Sequence, residues 1–195
     1  MMKPSRFILF LASIMFLIPA AGRAQDKEEI GHFQISLSPK RQIVNEYASI
    51  EGLRLSLPYS RNRNVRGLDL GFVNRAEGYF EGLGIGVLMN SCRDGMRGMT
   101  ISPWNAVEYD AKGAQIGLLN TMGMEIMGCQ IGLLNLCDTL RGFQIGGYNY
   151  AWRVTGTQIG VVNITGYLKG FQIGLANVIT DRYHWRMLPI VRGGW

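Results

Sequence analysis

The sequence predicts an all-β protein built as a parallel β-solenoid of about nine coils, with a cap at each end, and three observations favour this fold. A motif that begins with glycine recurs nine times, and successive first glycines stand 14–16 residues apart. Side chains inside each copy alternate with a period of two, which is typical of a strand. The connectors between copies are rich in Asn, Gly, Asp and Ser, residue types that favour turns. Each repeat is therefore expected to be one strand followed by one or two turns.

The first 24 residues have the three-part form of a secretory signal peptide. After a basic start, Phe7–Ile18 forms an apolar run, and the small residues Gly22 and Ala24 precede a cleavage point at Gln25. The run is shorter than the roughly 20 apolar residues that a membrane-spanning helix needs. We therefore predict an exported protein of the cell surface, outer membrane or periplasm, with a mature chain that starts near Gln25.

The rest of the chain divides into a central array and two ends. Residues 25–51 are predicted to be a disordered start followed by an N-terminal cap strand, because the segment from His32 resembles a motif copy without its glycines. Residues 52–180 form the repeat array and residues 181–195 the C-terminal cap. Terminal units of an array must cover its exposed core and its unpaired strand edge. We expect three residues to close the last coil: Tyr183, Trp185 and Pro189.

The last five copies share the consensus G-x-Q-I-G-x-x-N and contain no charged residue. In a parallel solenoid, like residues of successive coils stack at about 4.8 Å. Stacked amides form favourable hydrogen-bonded ladders, whereas stacked like charges repel. The predicted structural ladder residues are Gln115, Gln130, Gln144, Gln158 and Gln172 in one column and Asn120, Asn135, Asn149, Asn163 and Asn177 in the other.

An antiparallel meander that closes into an outer-membrane β-barrel is the alternative architecture, and it would make the protein a small pore or anchor. Alternating strands and a C-terminal aromatic, here Trp195, suit such barrels. The uniform connectors argue against it, because barrels alternate short turns with longer loops. Antiparallel pairing also gives no reason for Gln and Asn to hold the same places in every copy.

The repeated motif, the signal peptide and the L-P-I-V ending resemble a bacterial family of exported surface-repeat proteins, whose copies commonly read G-L-Q-I-G-L-x-N. The match covers roughly residues 52–195, and five tandem copies make it specific. The copies before residue 106 depart from the consensus most, with Ser56, Pro58, Ser102 and Pro103 at motif positions. The resemblance implies export and surface exposure, and it assigns no catalytic or binding residue to this chain.

The charge balance is mild. The whole chain has a formal charge of +6, but removal of residues 1–24 takes three of the 20 basic residues and none of the 14 acids, which leaves +3. Nucleic-acid binding would show clustered Lys and Arg instead. We expect no nucleic-acid partner; the partner is an unknown protein, glycan or envelope component, and membrane association stays open.

No residue pattern indicates a catalytic, cofactor-binding or metal site, so no cofactor is predicted. Asp69 is the one acid inside a motif and is interpreted as outward-facing, while His184 is interpreted as a cap residue. Cys92 and Cys137 would lie about 14 Å apart in a solenoid, too far for a disulfide, and Cys129 is expected to be buried. The sequence thus predicts a non-catalytic structural or interaction scaffold.

Overall fold

The computed structural model describes residues 29–38, 40–180 and 185–194. The predicted signal peptide lies outside the described residues, as do Tyr183, His184 and Trp195. No helix in the described ranges is long and apolar enough to cross a membrane. The strands are β1 (Ile30–Ser38), β2 (Arg41–Gln42), β3 (Ser49–Asn62), β4 (Val65–Ala76), β5 (Tyr79–Cys92), β6 (Gly95–Ile101), β7 (Trp104–Val107), β8 (Asp110–Ile116), β9 (Leu119–Met122), β10 (Glu125–Thr180) and β11 (Trp185–Gly194).

Successive motif copies stack in parallel, and each residue faces its counterpart. Gly52 stands opposite Gly67, and the same pairing continues through Gly82, Gly98, Gly113 and Gly128. The prediction of a parallel β-solenoid is confirmed. The antiparallel meander is wrong, because the strands that carry these copies all run in the same direction.

Each coil has two strand segments separated by a bend. The first segments pair in the order β5, β6, β8, β10, and the second segments pair in the order β5, β7, β9, β10. β10 covers the last four copies as one run of 56 residues. In the early copies, Ser102 and Pro103 separate β6 from β7, and the β3–β4 register shifts between Ser56 and Tyr59, around Pro58.

The two ends of the stack differ from its middle. At the N-terminal end, β1 lies parallel on β3, with Phe33 opposite Leu53, and β2 adds a short antiparallel pairing to β1. At the C-terminal end, β11 runs antiparallel along the last coil of β10, from Gly170 to Thr180. This reversed strand occupies the backbone edge that another parallel coil would otherwise extend.

The interior holds two apolar columns that follow the repeat period. One column stands two residues before each motif glycine, and the other stands nine or ten residues after it. Their side chains are at most 8 % exposed, and most of them belong to one continuous core. The first column is Ile50, Val65, Phe80, Met96, Ala111, Ile126, Leu140, Val154 and Leu168; the second contains Ala76, Cys92, Val107, Met122, Cys137 and Ala151.

Candidate functional site: amide ladders and an apolar outer face

The five motif glutamines form one hydrogen-bonded column inside the solenoid, and each is fully buried. Gln130 Nε2 donates to Gln115 Oε1 across 2.7 Å, and the same 2.7 Å bond links Gln144 to Gln130, Gln158 to Gln144 and Gln172 to Gln158. Buried polar groups are costly unless they are paired, and the column pairs them with one another. Every donation in this ladder points toward the N-terminus.

The asparagines form a second ladder that points the opposite way. Asn120 Nδ2 donates to Asn135 Oδ1, and Asn135 Nδ2 to Asn149 Oδ1, both across 2.8 Å. Asn149 continues the ladder to Asn163, and Asn163 continues it to Asn177. In all of these asparagines except Asn177, the amide also donates to the isoleucine carbonyl of the next coil, as from Asn120 to Ile131 across 2.9 Å. The asparagines therefore bind backbone as well as each other, at the bend of the coil.

Both glycines of the motif are required by close packing between coils. Gly128 has φ +143°, and a Cβ there would lie 1.9 Å from the carbonyl oxygen of Gly113. A Cβ on Gly132 would lie 2.2 Å from the Gly117 carbonyl oxygen and 2.6 Å from Asn120 Nδ2. The sequence I-G-x-x-N thus couples the second glycine to the asparagine ladder, which needs the space that the missing side chain leaves.

The ladders end in buried atoms that lack a partner among the described residues. Gln115 Nε2 is unpaired at the N-terminal end of the glutamine ladder, and Gln172 Oε1 at its C-terminal end. The asparagine ladder extends further back than predicted, through Asn105 and Asn90 to Asn74, whose Oδ1 is unpaired. The terminal residue of a hydrogen-bonded ladder has one donor or acceptor without a neighbour to pair with. These atoms therefore mark where the regular repeats begin and end.

In the first coils, a buried ion pair takes the place of the glutamines. Arg54 and Asp69 face each other in the β3–β4 pairing and are 0 % and 2 % exposed. The guanidinium donates through Nε and Nη2 to the two carboxylate oxygens, across 2.8 and 2.6 Å. The outward-facing interpretation of Asp69 is wrong, because the side chains at this motif position are buried in the interior of the solenoid. Arg54 also donates to the Arg75 carbonyl across 2.9 Å.

Gly84 occupies the ladder position of the next coil and has no side chain to continue the column. An interior cavity of about 10 Å³ lies beside it, lined in part by Asp69, Asn74, Phe80 and Cys92. This volume is about the smallest that admits a water molecule. It is too small for an organic substrate, so the break in the ladder does not form a substrate pocket.

All three cysteines are free thiols. Cys92 and Cys137 are buried, and burial raises the pKa of Cys92 to about 12 and that of Cys137 further. Cys129 is only half-buried, and the expectation that it lies in the interior is wrong. The residue after the motif glycine belongs to the outer face of the sheet, whereas Cys92 and Cys137 belong to the core column.

The outer side of the first strand segment and of the bend that follows it is apolar over the whole array. Three columns, at the first, third and fifth residues after each motif glycine, contain no charged residue in any of the nine copies. Ile131, Ile145 and Ile173 are 38–41 % exposed, and Leu118 and Leu175 are 63 % and 73 % exposed. The usual placement of isoleucine inside and glutamine outside is reversed. We call these three columns the apolar outer face.

A column of alternating composition borders this face, one residue before each motif glycine. We call it the edge column; it reads Glu51, Arg66, Glu81, Arg97, Lys112, Met127, Arg141, Thr155 and Lys169. Arg66 forms ion pairs with Glu51 across 3.1 Å and with Glu81 across 3.5 Å, which shows that these side chains stack. The column is thus net acidic at its N-terminal end and basic from Arg97 onward.

Two further candidates are a metal site and a pair of packed aromatic rings. Among the described residues, no group of three or more His, Cys, Asp or Glu side chains could hold a metal ion. Trp152 packs edge-to-face on Tyr167, with ring centroids 5.7 Å apart. The apolar outer face is an extended exposed surface that another molecule could contact. Sequence reasoning missed it, because periodicity alone does not say which side of a strand is buried.

Comparison of the chain with protein-family models, with curated proteins and with solved structures gave no match.

Proposed function

We propose that the chain is an exported, non-catalytic scaffold of the cell surface or periplasm that works through its apolar outer face. The observation that carries the proposal is the absence of charge from three columns of nine positions on the outer side of the first strand segments and of the bend that follows them. Eight steps of about 4.8 Å and four residues of about 3.3 Å give a face of roughly 38 by 13 Å. Contiguous exposed apolar patches of several hundred Å² mark interaction sites.

The polar groups of the interior support a structural role. The buried amides hydrogen-bond to one another in the two ladders, and the Arg54 guanidinium donates to Asp69 and to a backbone carbonyl. Groups that are buried and paired in this way are not presented to a substrate. A long, stiff body with one apolar side is suited to holding another macromolecule along its length.

Export is supported by the form of the first 24 residues and by the resemblance to exported surface-repeat proteins. The test is fractionation of producing cells, with intact-mass measurement of the chain and an impermeant amine label applied to whole cells. We expect a product that starts near Gln25 in the periplasm or envelope, labelled from outside if it is at the surface. Retention of Met1 in a cytoplasmic product would overturn the proposal.

The role of the face is tested separately with two matched variants. Leu118→Glu places a charge in the fifth column of the apolar outer face, at the bend after β8, and Tyr109→Glu places the same charge on an exposed side chain of the connector before β8. We expect Leu118→Glu to release the chain from envelope fractions while Tyr109→Glu leaves it there. Equal retention of both variants would show that the face is not what holds the protein.

A further inference from the structure

We infer that the partner of the apolar outer face is a second copy of this chain, packed face to face about a two-fold axis that lies across the middle coil. This inference rests on the proposed use of the face. Two flat sheets pack about 10 Å apart, and aligned sheets of this kind interdigitate uncharged side chains. A symmetric dimer uses the same patch on both subunits, so the patch must be complementary to itself.

The size of the face meets what a stable dimer needs. With the edge column included, the strip spans six steps of about 3.3 Å, or roughly 20 Å, in width and is roughly 38 Å long. Two such strips bury about 1,500 Å² in total, which is within the range of specific protein–protein interfaces. The three apolar columns contain no charged residue, so packing them together desolvates no charge there.

The charges of the edge column favour a second copy in one orientation. With the solenoid axes antiparallel, the first copy of the motif faces the ninth, and the third faces the seventh. Glu51 then meets Lys169 of the other copy, and Glu81 meets Arg141. Arg66 faces Thr155, and Arg97 faces Met127, so neither meets a like charge.

The axis itself passes through the fifth copy. Lys112 there faces its own counterpart, and this is the one like-charge contact of the arrangement. Inside one chain, Glu51 and Glu81 both pair with the single guanidinium of Arg66. The acidic end of the edge column therefore has a net charge of −1, which a basic residue of the other copy can balance. An anionic lipid surface fits less well, because it would repel Glu51 and Glu81 at the border of the same face.

The test is sedimentation velocity of the mature chain, from residue 25, over a concentration series. We expect a dimer that Leu118→Glu dissociates, because the substitution brings two carboxylates together near the axis, and that Tyr109→Glu leaves intact. Glu51→Lys and Lys169→Glu should each weaken the dimer about 3-fold to 30-fold. The double variant Glu51→Lys/Lys169→Glu should restore it. Lys112→Gln should tighten it about 2-fold to 5-fold by removing the central repulsion.

The charge variants keep the test valid if Leu118→Glu fails to fold, because Glu51 and Lys169 are surface residues. A monomer at every concentration, or a dimer insensitive to both the face and the edge substitutions, overturns the inference. Flotation of a monomer with phosphatidylglycerol vesicles that Leu118→Glu abolishes would also overturn it, in favour of lipid. If the dimer is overturned in this way, the proposed scaffold role still stands as long as Leu118→Glu releases the chain from envelope fractions. The scaffold role itself is overturned if the chain is found in the cytoplasm.

Discussion

The side-chain amide of Gln144 donates to Oε1 of Gln130, one coil nearer the N-terminus, across 2.7 Å inside the solenoid. The asparagine ladder in the same coils donates toward the C-terminus, as from Asn135 to Asn149. Each column of aligned amides carries a dipole along the solenoid axis. Because the two ladders donate in opposite directions, their dipoles are antiparallel. In the last coils, two side-chain ladders of opposite direction thus add to the backbone pairing between the strands.

Gln144→Leu should lower the free energy of unfolding by about 1–3 kcal/mol, because it leaves a donor on Gln158 and an acceptor on Gln130 unpaired in the interior. Gln172→Leu is the matched control. Its Oε1 has no partner, so its removal breaks one bond of the ladder instead of two. Urea denaturation measures both. A Gln172 variant as damaging as the Gln144 variant would contradict the ladder's contribution.

Gln144 and Gln158 should also be coupled. We expect a double-mutant cycle on Gln144→Leu and Gln158→Leu to give an interaction energy of about 0.5–3 kcal/mol, because the second substitution removes an atom that the first has already orphaned. Simple addition of the two single effects would mean that the amides act independently.

Gly128→Ala should destabilise the protein by about 2–4 kcal/mol, because φ +143° is strained for any L-residue and the new Cβ would overlap a backbone oxygen of the neighbouring coil. Gly147→Ala is the control. There φ is not in the left-handed region, and a new Cβ would lie 3.0 Å from a Leu133 methyl and 3.1 Å from the Leu133 carbonyl oxygen, so we expect a smaller loss than at Gly128, where the corresponding distance is 1.9 Å. Thermal unfolding of both variants checks the difference, and equal melting temperatures would be evidence against glycine-on-glycine stacking.

Asp69→Asn should cost about 3–5 kcal/mol, because it leaves the buried Arg54 guanidinium without its counter-charge. The double variant Arg54→Gln/Asp69→Gln should recover most of this loss, since it installs the amide pair found in the later coils. Chemical denaturation of the wild type and both variants gives the comparison. If the double variant were less stable than Asp69→Asn, the two kinds of pair would not be interchangeable at this position.

Stability should fall as pH rises from about 9 to about 12. Cys92 has its pKa raised from 9.0 to about 12 by burial, so in this window the unfolded chain loses a thiol proton that the folded chain keeps. The unfolded state then binds fewer protons, and the free energy of unfolding decreases by at most about 1.4 kcal/mol per pH unit for each such thiol. Cys92→Ala should flatten this slope, whereas Cys129→Ala, at a half-buried thiol, should change it less. An unchanged slope in Cys92→Ala would contradict the assignment.

The repeat period, the solenoid and the places of the amides could be predicted because Gln and Asn recur at fixed positions, which only parallel stacking explains. The side of the strand that is buried could not be predicted. Both faces alternate regularly, and apolar residues are normally placed inside, yet Ile131 is exposed and Gln130 is buried. The ion pair left a signal in the sequence: Arg54 and Asp69 have opposite charges at one motif position of neighbouring copies. Such complementarity indicates a shared interior.

Site-specific photocrosslinking in producing cells tests the central claim most directly. A photoreactive amino acid replaces Leu118 on the apolar outer face in one variant and Tyr109 on the connector in the other. We expect a discrete crosslinked product from position 118, at twice the mass of the mature chain if the partner is a second copy, and little or none from position 109. No product from position 118, or equal products from both positions, would contradict a scaffold that works through this face.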